Sequence, residues 1–273
     1  MQKFVHNPVS RLLKVGLLLL LTLSIPVRAE VDFGGVSAFT SSADNSPIPK
    51  GLVVGGALVT YNARYQAQDS TTLAFPGFIY FGEQLFFQGD RARYYFGKSE
   101  NFAPFLYGRF RPGNLDPDDE PAFSGMSKRK WEIEGGIGAS LRLPGALITA
   151  RVSGDMTGTS KGQEAMLWAD FPVIRGPLML MPGAGVMWRS SNLANYYFGG
   201  VSAAEATVTR PQYDTGSTLS PMASLVTSYR FSKQWIATAI LTVEHYDKNI
   251  AASPLVQHSN EITFVGGVGY IWK

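Results

Sequence analysis

The closing segment of the chain, "EITFVGGVGYIWK" (residues 261–273), alternates between apolar and other side chains. Every second position is apolar or glycine, which is the period of a β-strand, and this face carries Ile262, Phe264, Gly266, Val268, Tyr270 and Trp272. The opposite face begins with a carboxylate and a hydroxyl, Glu261 and Thr263. Two kinds of strand fit this pattern: the half-buried edge of a soluble sheet, or a transmembrane strand with lipid on one side and a wet lumen on the other.

The first 29 residues have the organisation of a secretory signal peptide. Lys3, Arg11 and Lys14 precede an apolar run at residues 15–25, and residues 27–29 form a small-x-small cleavage signal. A membrane-spanning helix needs about 20 apolar residues, and this run is shorter and is followed by Pro26. We therefore predict an exported protein whose mature chain, residues 30–273, is a single domain.

Charge and cysteine content exclude several classes of function. The chain has 24 basic and 21 acidic residues, a net charge of +3, and removing the four basic residues of the predicted signal peptide leaves 20 basic against 21 acidic. There is no basic run with interleaved aromatics, which argues against nucleic-acid binding. The absence of cysteine excludes cysteine-based metal and redox sites. Aromatic residues at 12% and 29 glycines favour an all-β protein.

The alternation of the last segment recurs along the chain, for example in "KWEIEGGIGASLRL" (130–143) and "QWIATAILTVEHY" (234–246). These segments have about ten residues or more, the length that a tilted strand needs to cross a bilayer. Aromatics lie near the ends of the apolar faces, where a membrane-interface girdle would place them: Trp131, Tyr229, Phe231, Trp235, Tyr270 and Trp272. The pattern predicts a transmembrane antiparallel β-barrel; the alternative is a soluble β-sandwich or lipocalin-like barrel.

The predicted strands number about twelve, with ten as the alternative because the N-terminal part fits less cleanly. They are 31–39, 52–62, 71–81, 84–95, 101–111, 130–143, 146–155, 163–174, 178–190, 221–231, 234–246 and 261–272. The tight connections at 143–146, 175–177 and 231–234 are predicted to be periplasmic, and the long ones at 112–129, 191–218 and 247–260 external. The same count makes 62–70 periplasmic and 81–84 external.

One external segment, "NYYFGGVSAAEATVTRPQYDTG" (195–216), resembles the MltA-interacting protein (MipA) / OmpV family of outer-membrane barrels. The residues that carry the resemblance are Tyr197-Phe198-Gly199, the block 201–206, the spacing of Pro211, Tyr213, Asp214 and Gly216, and the block 252–256. Weaker similarity extends back to about residue 51 and includes "GMSKRKWEIEGGIGASLR". The extra glycine at Gly200 and Lys273 after the terminal aromatic depart from the family pattern.

The resemblance implies a non-enzymatic outer-membrane barrel. Its named member is a scaffold for murein synthesis that links a lytic transglycosylase to a penicillin-binding protein, and other members are implicated in adhesion and stress responses. The resemblance also implies contact with outer-membrane lipid and with the barrel-assembly machinery, for which Gly267, Tyr270 and Trp272 are the candidate assembly signal. The alternative is a small-solute channel or an adhesin that uses the long external loops.

Nothing in the mature sequence has the arrangement of a catalytic site, so we predict no enzymatic activity, no cofactor and no metal. The mature chain has two histidines, His245 and His258. In "QHSNE" (257–261) the neighbouring His258 and Ser259 point to opposite faces of a strand, whereas a nucleophile needs its base within hydrogen-bond reach.

Charged residues on the inferred inward faces are the remaining candidates for a functional site. They are Arg109, Arg111, Glu132, Glu134, Arg142, Arg151, Arg230, Glu244 and Glu261. They fit either a self-neutralising ladder of ion pairs that fills a narrow barrel or the lining of a small-solute channel.

Overall fold

The computed structural model describes residues 37–38 and 48–272, and its strands form one antiparallel sheet. The strands are β1 (Gly51–Tyr61), β2 (Thr71–Phe81), β3 (Leu85–Gln88), β4 (Arg91–Tyr95), β5 (Phe102–Arg111), β6 (Glu132–Leu143), β7 (Ala146–Asp155), β8 (Gln163–Asp170), β9 (Val173–Arg175), β10 (Leu178–Arg189), β11 (Thr218–Arg230), β12 (Trp235–His245) and β13 (Asn260–Trp272). The signal peptide predicted at residues 1–29 and Lys273 lie outside the described residues.

The sheet closes on itself because β13 pairs with both β12 and β1, with Trp272 opposite Leu52. Strands β8 and β9 pair with successive parts of β10, so they form one wall element interrupted at residues 171–172. If β8 and β9 are counted as one strand, the thirteen strands form a twelve-stranded barrel. The predicted fold class, a transmembrane-type antiparallel barrel of about twelve strands, is confirmed.

The prediction of one continuous strand at 84–95 is wrong. The structure has β3 and β4 there, joined by the two-residue turn Gly89–Asp90. Gly89 has φ +53°, the left-handed region that a tight hairpin turn requires of glycine. The inward positions change from even-numbered (Phe86) to odd-numbered (Arg91, Arg93 and Tyr95) across this turn, and the pair Gly89–Asp90 is the sequence signal that separates the two strands.

The strand predicted at 31–39 is not part of the wall where the structure describes it. Of this segment, Ser37 and Ala38 are described, and both are buried. The Ser37 hydroxyl lies 2.7 Å from the hydroxyl of Tyr95, an inward-facing residue of β4, and Ala38 packs in the apolar cluster of the lumen. The barrel closes between β13 and β1 without this segment.

The barrel has a short-turn end, with the turns 144–145, 176–177 and 231–234, and a long-loop end. The connection 62–70 was predicted at the short-turn end and 81–84 at the other, and both placements are wrong. Tyr65 pairs with Val256, which lies just before β13, so 62–70 joins the long loops. The cause is the extra strand in 84–95, which reverses the direction of every strand before it.

Helical segments occur in the connections of the long-loop end: a 3₁₀ turn at Pro121–Phe123, helix α1 (Ser191–Phe198) and the single turn α2 (Lys248–Ala251). In the part of the chain that is described, no helix is both long and apolar enough to span a membrane. The wall itself alternates as the sequence predicts: Glu132 and Glu134 of β6 are buried, whereas Ile133 and Ile137 are 46% and 57% exposed on the outer face.

Candidate functional site

A network of buried charges crosses the lumen below the long-loop end, and Glu164 of β8 lies at its centre. This carboxylate is 1% exposed. Its oxygens accept hydrogen bonds from Arg111 Nη2 at 2.9 Å and Arg151 Nη2 at 2.8 Å, and they lie 3.9 Å from Arg109 and 3.6 Å from Arg189. Four arginines from β5, β7 and β10 thus surround one acid, which gives the buried charge the partners it requires.

Two further carboxylates of β6 join the network on the same side of the barrel. Arg111 Nε donates a hydrogen bond to Glu134 and lies 3.6 Å from Glu132. Glu132 also accepts a hydrogen bond from the backbone N–H of Ser160 at 3.2 Å. Because residues two apart on a strand share a face, the "EIE" of β6 brings both acids to the same arginine.

The network continues across the lumen to the last two strands. Arg189 Nη2 donates to Glu244 of β12 at 3.1 Å, and Arg64 Nη2 donates to Glu261 of β13 at 2.7 Å. Arg64 Nε also donates to the hydroxyl of Tyr246 at 2.8 Å. Ion pairs therefore run from β5 through β8 and β10 to β12, and a further ion pair joins Arg64 to β13.

Most of the residues predicted to face the lumen are buried in the structure: Arg109, Arg111, Glu132, Glu134, Arg151, Arg230, Glu244 and Glu261. Arg142 is an exception, because residues 141–143 are all exposed where β6 reaches the short-turn rim. Arg230 is buried away from the network; its guanidinium donates to the carbonyl oxygens of Ser232 and Lys233 and holds the β11–β12 turn.

Sequence reasoning missed five members of the network: Arg64, Asp90, Arg91, Glu164 and Arg189. The alternation of "QEAMLWAD" in β8 does indicate that Glu164 faces inward. Arg64 lies in a connection, where no periodic pattern exists. Asp90 accepts hydrogen bonds from Arg91 and Arg109, at 2.8 and 3.2 Å, from a turn that was predicted to be the middle of a strand.

Helix α1 covers the charged network at the long-loop end. The Ser190 hydroxyl caps its first turn by accepting from the backbone N–H of Leu193, and the helix ends at Gly199, whose φ of +128° excludes a side chain. The Phe198 ring lies 4.3 Å from the guanidinium carbon of Arg64 and 4.0 Å from that of Arg189. Aromatic faces attract cations at this distance, so the helix is anchored on the arginines beneath it.

Tyr197 fastens the helix to two neighbouring connections. Its carbonyl oxygen accepts hydrogen bonds from Arg64 Nη1 at 3.1 Å, the Tyr65 hydroxyl at 2.6 Å and Asn114 Nδ2 at 2.7 Å. Its own hydroxyl donates to the carbonyl oxygen of Lys130 at 2.6 Å. The motif that carries the family resemblance thus holds helix α1 in place over the barrel mouth through hydrogen bonds.

Glu205 holds its own connection, 199–217, against the connection 112–131. Its carboxylate accepts hydrogen bonds from Arg129 at 2.9 Å and from the backbone N–H groups of Ser127 and Ser202 at 2.8 and 3.0 Å. Burial by itself would raise the pKa of Glu205, but these donors outweigh burial and lower its pKa to about 2. The carboxylate is therefore ionised throughout the physiological range.

Apolar side chains complete a layer that we call the cap, formed by α1 and the connections 62–70, 112–131, 199–217 and 246–259, the last of which contains α2. Its buried residues are Tyr65, Leu115, Phe123, Met126, Leu193, Tyr197, Phe198, Val201, Tyr246, Ile250, Leu255 and Val256. The long loops are consequently packed against one another over the barrel mouth.

Apolar side chains also pack together in the lumen toward the short-turn end. The buried cluster comprises Ala38, Phe81, Phe86, Tyr95, Ala103, Phe105, Tyr107, Leu147, Met179, Met181, Val226 and Ile240. The described residues therefore occupy the interior at three levels: the cap, the charged network and this apolar cluster.

The candidate nucleophile–base segment does not converge. His258 and Ser259 are exposed, whereas Glu261 is buried against Arg64. His245 is exposed and its Nδ1 lies 2.7 Å from Asn260 Oδ1. Over residues 37–38 and 48–272, no group of three or more histidine, cysteine or acidic residues is arranged to hold a metal ion.

Comparison with known proteins places this geometry in context. Residues 54–272 match the family described as MltA-interacting protein MipA. Outer membrane protein Omp26La of Vibrio anguillarum is 28% identical over 207 residues, which cover 74% of this chain and 79% of the relative. The MltA-interacting protein of Escherichia coli (strain K12) is 23% identical over 198 residues, 71% of this chain and 79% of that protein.

A solved structure, the COG4313 outer membrane channel from Pseudomonas putida F1, aligns over 84% of this chain and 99% of its own length. The sequence identity is 9% and the TM-score is 0.39, so this alignment supports no statement about function.

Proposed function

Because the chain belongs to the MltA-interacting protein (MipA) family of outer-membrane proteins, we propose that it is a closed, non-enzymatic outer-membrane barrel that holds a protein partner at its short-turn end. In outer-membrane barrels the short turns face the periplasm and the long loops face outward. The name of the relatives called MltA-interacting protein supports a lytic transglycosylase as that partner.

The packing of buried side chains inside the barrel is the observation that supports this proposal. A transport function needs a continuous path, whereas here Phe198 lies on Arg64 and Arg189, Glu164 lies among four arginines, and apolar residues occupy the level below. A barrel that encloses packed side chains offers its two end surfaces to other molecules. An anchoring role uses such a surface and requires no pore.

The short-turn end offers a projecting element on which a partner can dock. Pairing between β7 and β8 ends with Leu147 opposite Asp170, so the hairpin of β9 and β10 continues beyond the β6–β7 turn. Val173 and Ile174 are 48% and 54% exposed. Among the described strands β9 pairs with β10 alone, and an unpaired strand edge is a site at which another chain adds a strand.

The charge of the short-turn rim favours an acidic partner surface. Lys98, Arg142, Arg175 and Lys233 are exposed there. Among the residues that the structure describes, the exposed acids of the same rim are Glu83, which pairs with Lys50 at 2.6 Å, and Glu100. Complementary charge raises the rate of encounter and selects among partners, so a rim of this kind suits a protein with an acidic docking face.

Photo-crosslinking from the two ends of the barrel tests the proposal. Crosslinking residues at Glu100 and Gln234 report on the short-turn end, and one at Gln212 on the cap; all three positions are exposed. We expect a lytic transglycosylase, identified by its mass spectrum, to be captured from Glu100 or Gln234 and not from Gln212. Capture from Gln212 alone, or no capture of a murein enzyme from the short-turn end, refutes the proposal.

A second candidate, recognition of an external ligand or surface, is favoured by the packing of the cap. Its twelve buried apolar residues and the contacts of Tyr197 and Glu205 hold the loops in one arrangement. A preorganised surface loses less conformational entropy on binding than mobile loops do. Binding of host-cell or matrix proteins that is abolished by loop substitutions, with no capture from Glu100 or Gln234, would favour this candidate.

A further inference from the structure

The lipid-facing wall of the barrel contains an apolar groove across β6, β7, β8 and β10. Its volume is about 410 Å³, within the usual range of small-molecule sites of roughly 300–1,000 Å³. Small residues form the floor, since Ala150 and Ala165 lie on neighbouring strands at outward positions. Ile137, Leu167 and Trp188 stand beside them as walls.

The groove lies at the depth of the outer leaflet. Ala165 is four residues from Lys161, which at ~3.3 Å per residue places it about 13 Å along the strand from the long-loop rim. One leaflet contributes about 15 Å to a hydrocarbon core of about 30 Å. Trp131, which directly precedes β6 at the long-loop rim, is exposed, as aromatics at a membrane interface are, whereas Trp188 is level with Ala165 in the groove itself.

Two lysines stand at the rim above the groove, and their backbones are fixed. Lys161, with φ +55°, donates its N–H to Asp155 at 2.8 Å and accepts from Asn192 Nδ2 at 3.1 Å. Lys130 accepts a hydrogen bond from the hydroxyl of Tyr197 through its carbonyl oxygen. Both lysines are exposed. A cationic rim above an apolar groove matches an anionic headgroup above an acyl chain.

We propose that this groove binds one acyl chain of a phosphorylated glycolipid of the outer leaflet, with the headgroup phosphate on Lys161 and Lys130. The small side chains of Ala150 and Ala165 leave room for the acyl chain against the barrel wall, and the two lysines select a lipid with an anionic headgroup. The site is independent of the partner proposed at the short-turn end.

Lipid retention by the full mature chain tests this site. The chain is reconstituted in phosphatidylethanolamine vesicles that contain a minor fraction of lipid A or, separately, of phosphatidylglycerol, and retained lipid is counted by native mass spectrometry. We expect lipid A retention to fall about tenfold, the effect of a 1.4 kcal/mol loss, in Ala150→Leu/Ala165→Leu and in Lys130→Gln/Lys161→Gln.

Ala239→Leu, at an outward position of β12 away from the groove, is the matched control and should retain lipid A like the unmodified chain. Heat-modifiable migration in gel electrophoresis establishes that each variant is folded. If the groove variants fail to fold, the lysine variant still tests the proposal, because it leaves the barrel wall unchanged. Equal retention in the groove variants and the control, retention unaffected by loss of both lysines, or equal retention of phosphatidylglycerol would each overturn the proposal.

Discussion

At the scale of single residues, the stability of the barrel interior depends on how its buried charges are paired. The buried Glu164 carboxylate has partners for both oxygens, because Arg111 and Arg151 donate hydrogen bonds to them. Removing one partner of a buried pair leaves the other uncompensated, and this costs far more than the pair itself contributes. The consequence of a substitution therefore depends on which charges it leaves behind.

Arg111→Met is expected to be strongly destabilising for this reason. Arg111 is the shared donor of Glu134 and Glu164 and lies beside Glu132, so its loss leaves these acids close together without their common cation. We expect the free energy of unfolding, measured with urea on vesicle-inserted protein, to fall by about 3–5 kcal/mol.

Lys50→Met is the matched control, because it also removes a cation from an ion pair. Lys50 and Glu83 are exposed, with 38% and 79% of their side-chain surfaces accessible, so a change of about 0–1 kcal/mol is expected. Similar losses in the two variants would show that the buried network contributes no more than an ordinary surface pair.

Glu205 makes the stability of the cap depend on pH. Its pKa is about 2 in the folded chain against an ordinary value of 4.5. A carboxyl group with a lowered folded pKa stabilises fully above its unfolded pKa and loses this contribution as pH falls through the folded value. We expect thermal unfolding midpoints to fall from pH 5 toward about 2, and to fall less in Glu205→Gln; parallel slopes in the two proteins would contradict this assignment.

At the scale of elements, strand periodicity predicts most of the wall and fails where strands are short. From β5 onward the predicted strands agree with the structure to within a few residues, because each buries one face and exposes the other over ten or so positions. β3 and β4 have four and five residues. Their separation is marked by Gly89–Asp90, a two-residue hairpin signal at which the inward positions change from even to odd residue numbers.

Strand β13 is the element on which assembly is expected to depend. The Tyr270 ring packs edge-on against Trp235 at 5.4 Å, and Trp272 is 67% exposed on the outer face at the end of the wall. We predict that Tyr270→Ala/Trp272→Ala lowers the amount of folded barrel in the outer membrane severalfold, because these aromatics anchor the last strand at the interface.

The matched control is Trp131→Ala, which removes an exposed aromatic from the long-loop rim and leaves β13 unchanged. Heat-modifiable protein in isolated outer membranes is the measurement. Normal yield of the double variant, or an equal loss in the control, would show that Tyr270 and Trp272 are not a specific assembly signal.

At the scale of the whole molecule, the sequence predicts which charges face inward but not what they contact. Glu164 and Arg109 are 55 positions apart, and Arg64 and Glu261 are 197 apart, so their contacts follow from the closure of the barrel. The contacts of the cap could not be predicted from sequence periodicity either, because Arg64, Asn114 and Tyr197 come from three connections that have no periodic pattern. The motif around Tyr197 was visible in the sequence; its position over the lumen was not.

The central claim is that the interior is closed from the cap to the apolar cluster, which distinguishes an anchor from a channel. Planar-bilayer recording on the purified barrel tests it most directly. We predict no stable conductance steps for the unmodified protein, and none for Arg142→Ala, since Arg142 lies exposed at the rim outside the packed interior. Well-defined steps for the unmodified protein, changed in size by Arg111→Ala, would contradict the account, because they would require an open path through the charged network.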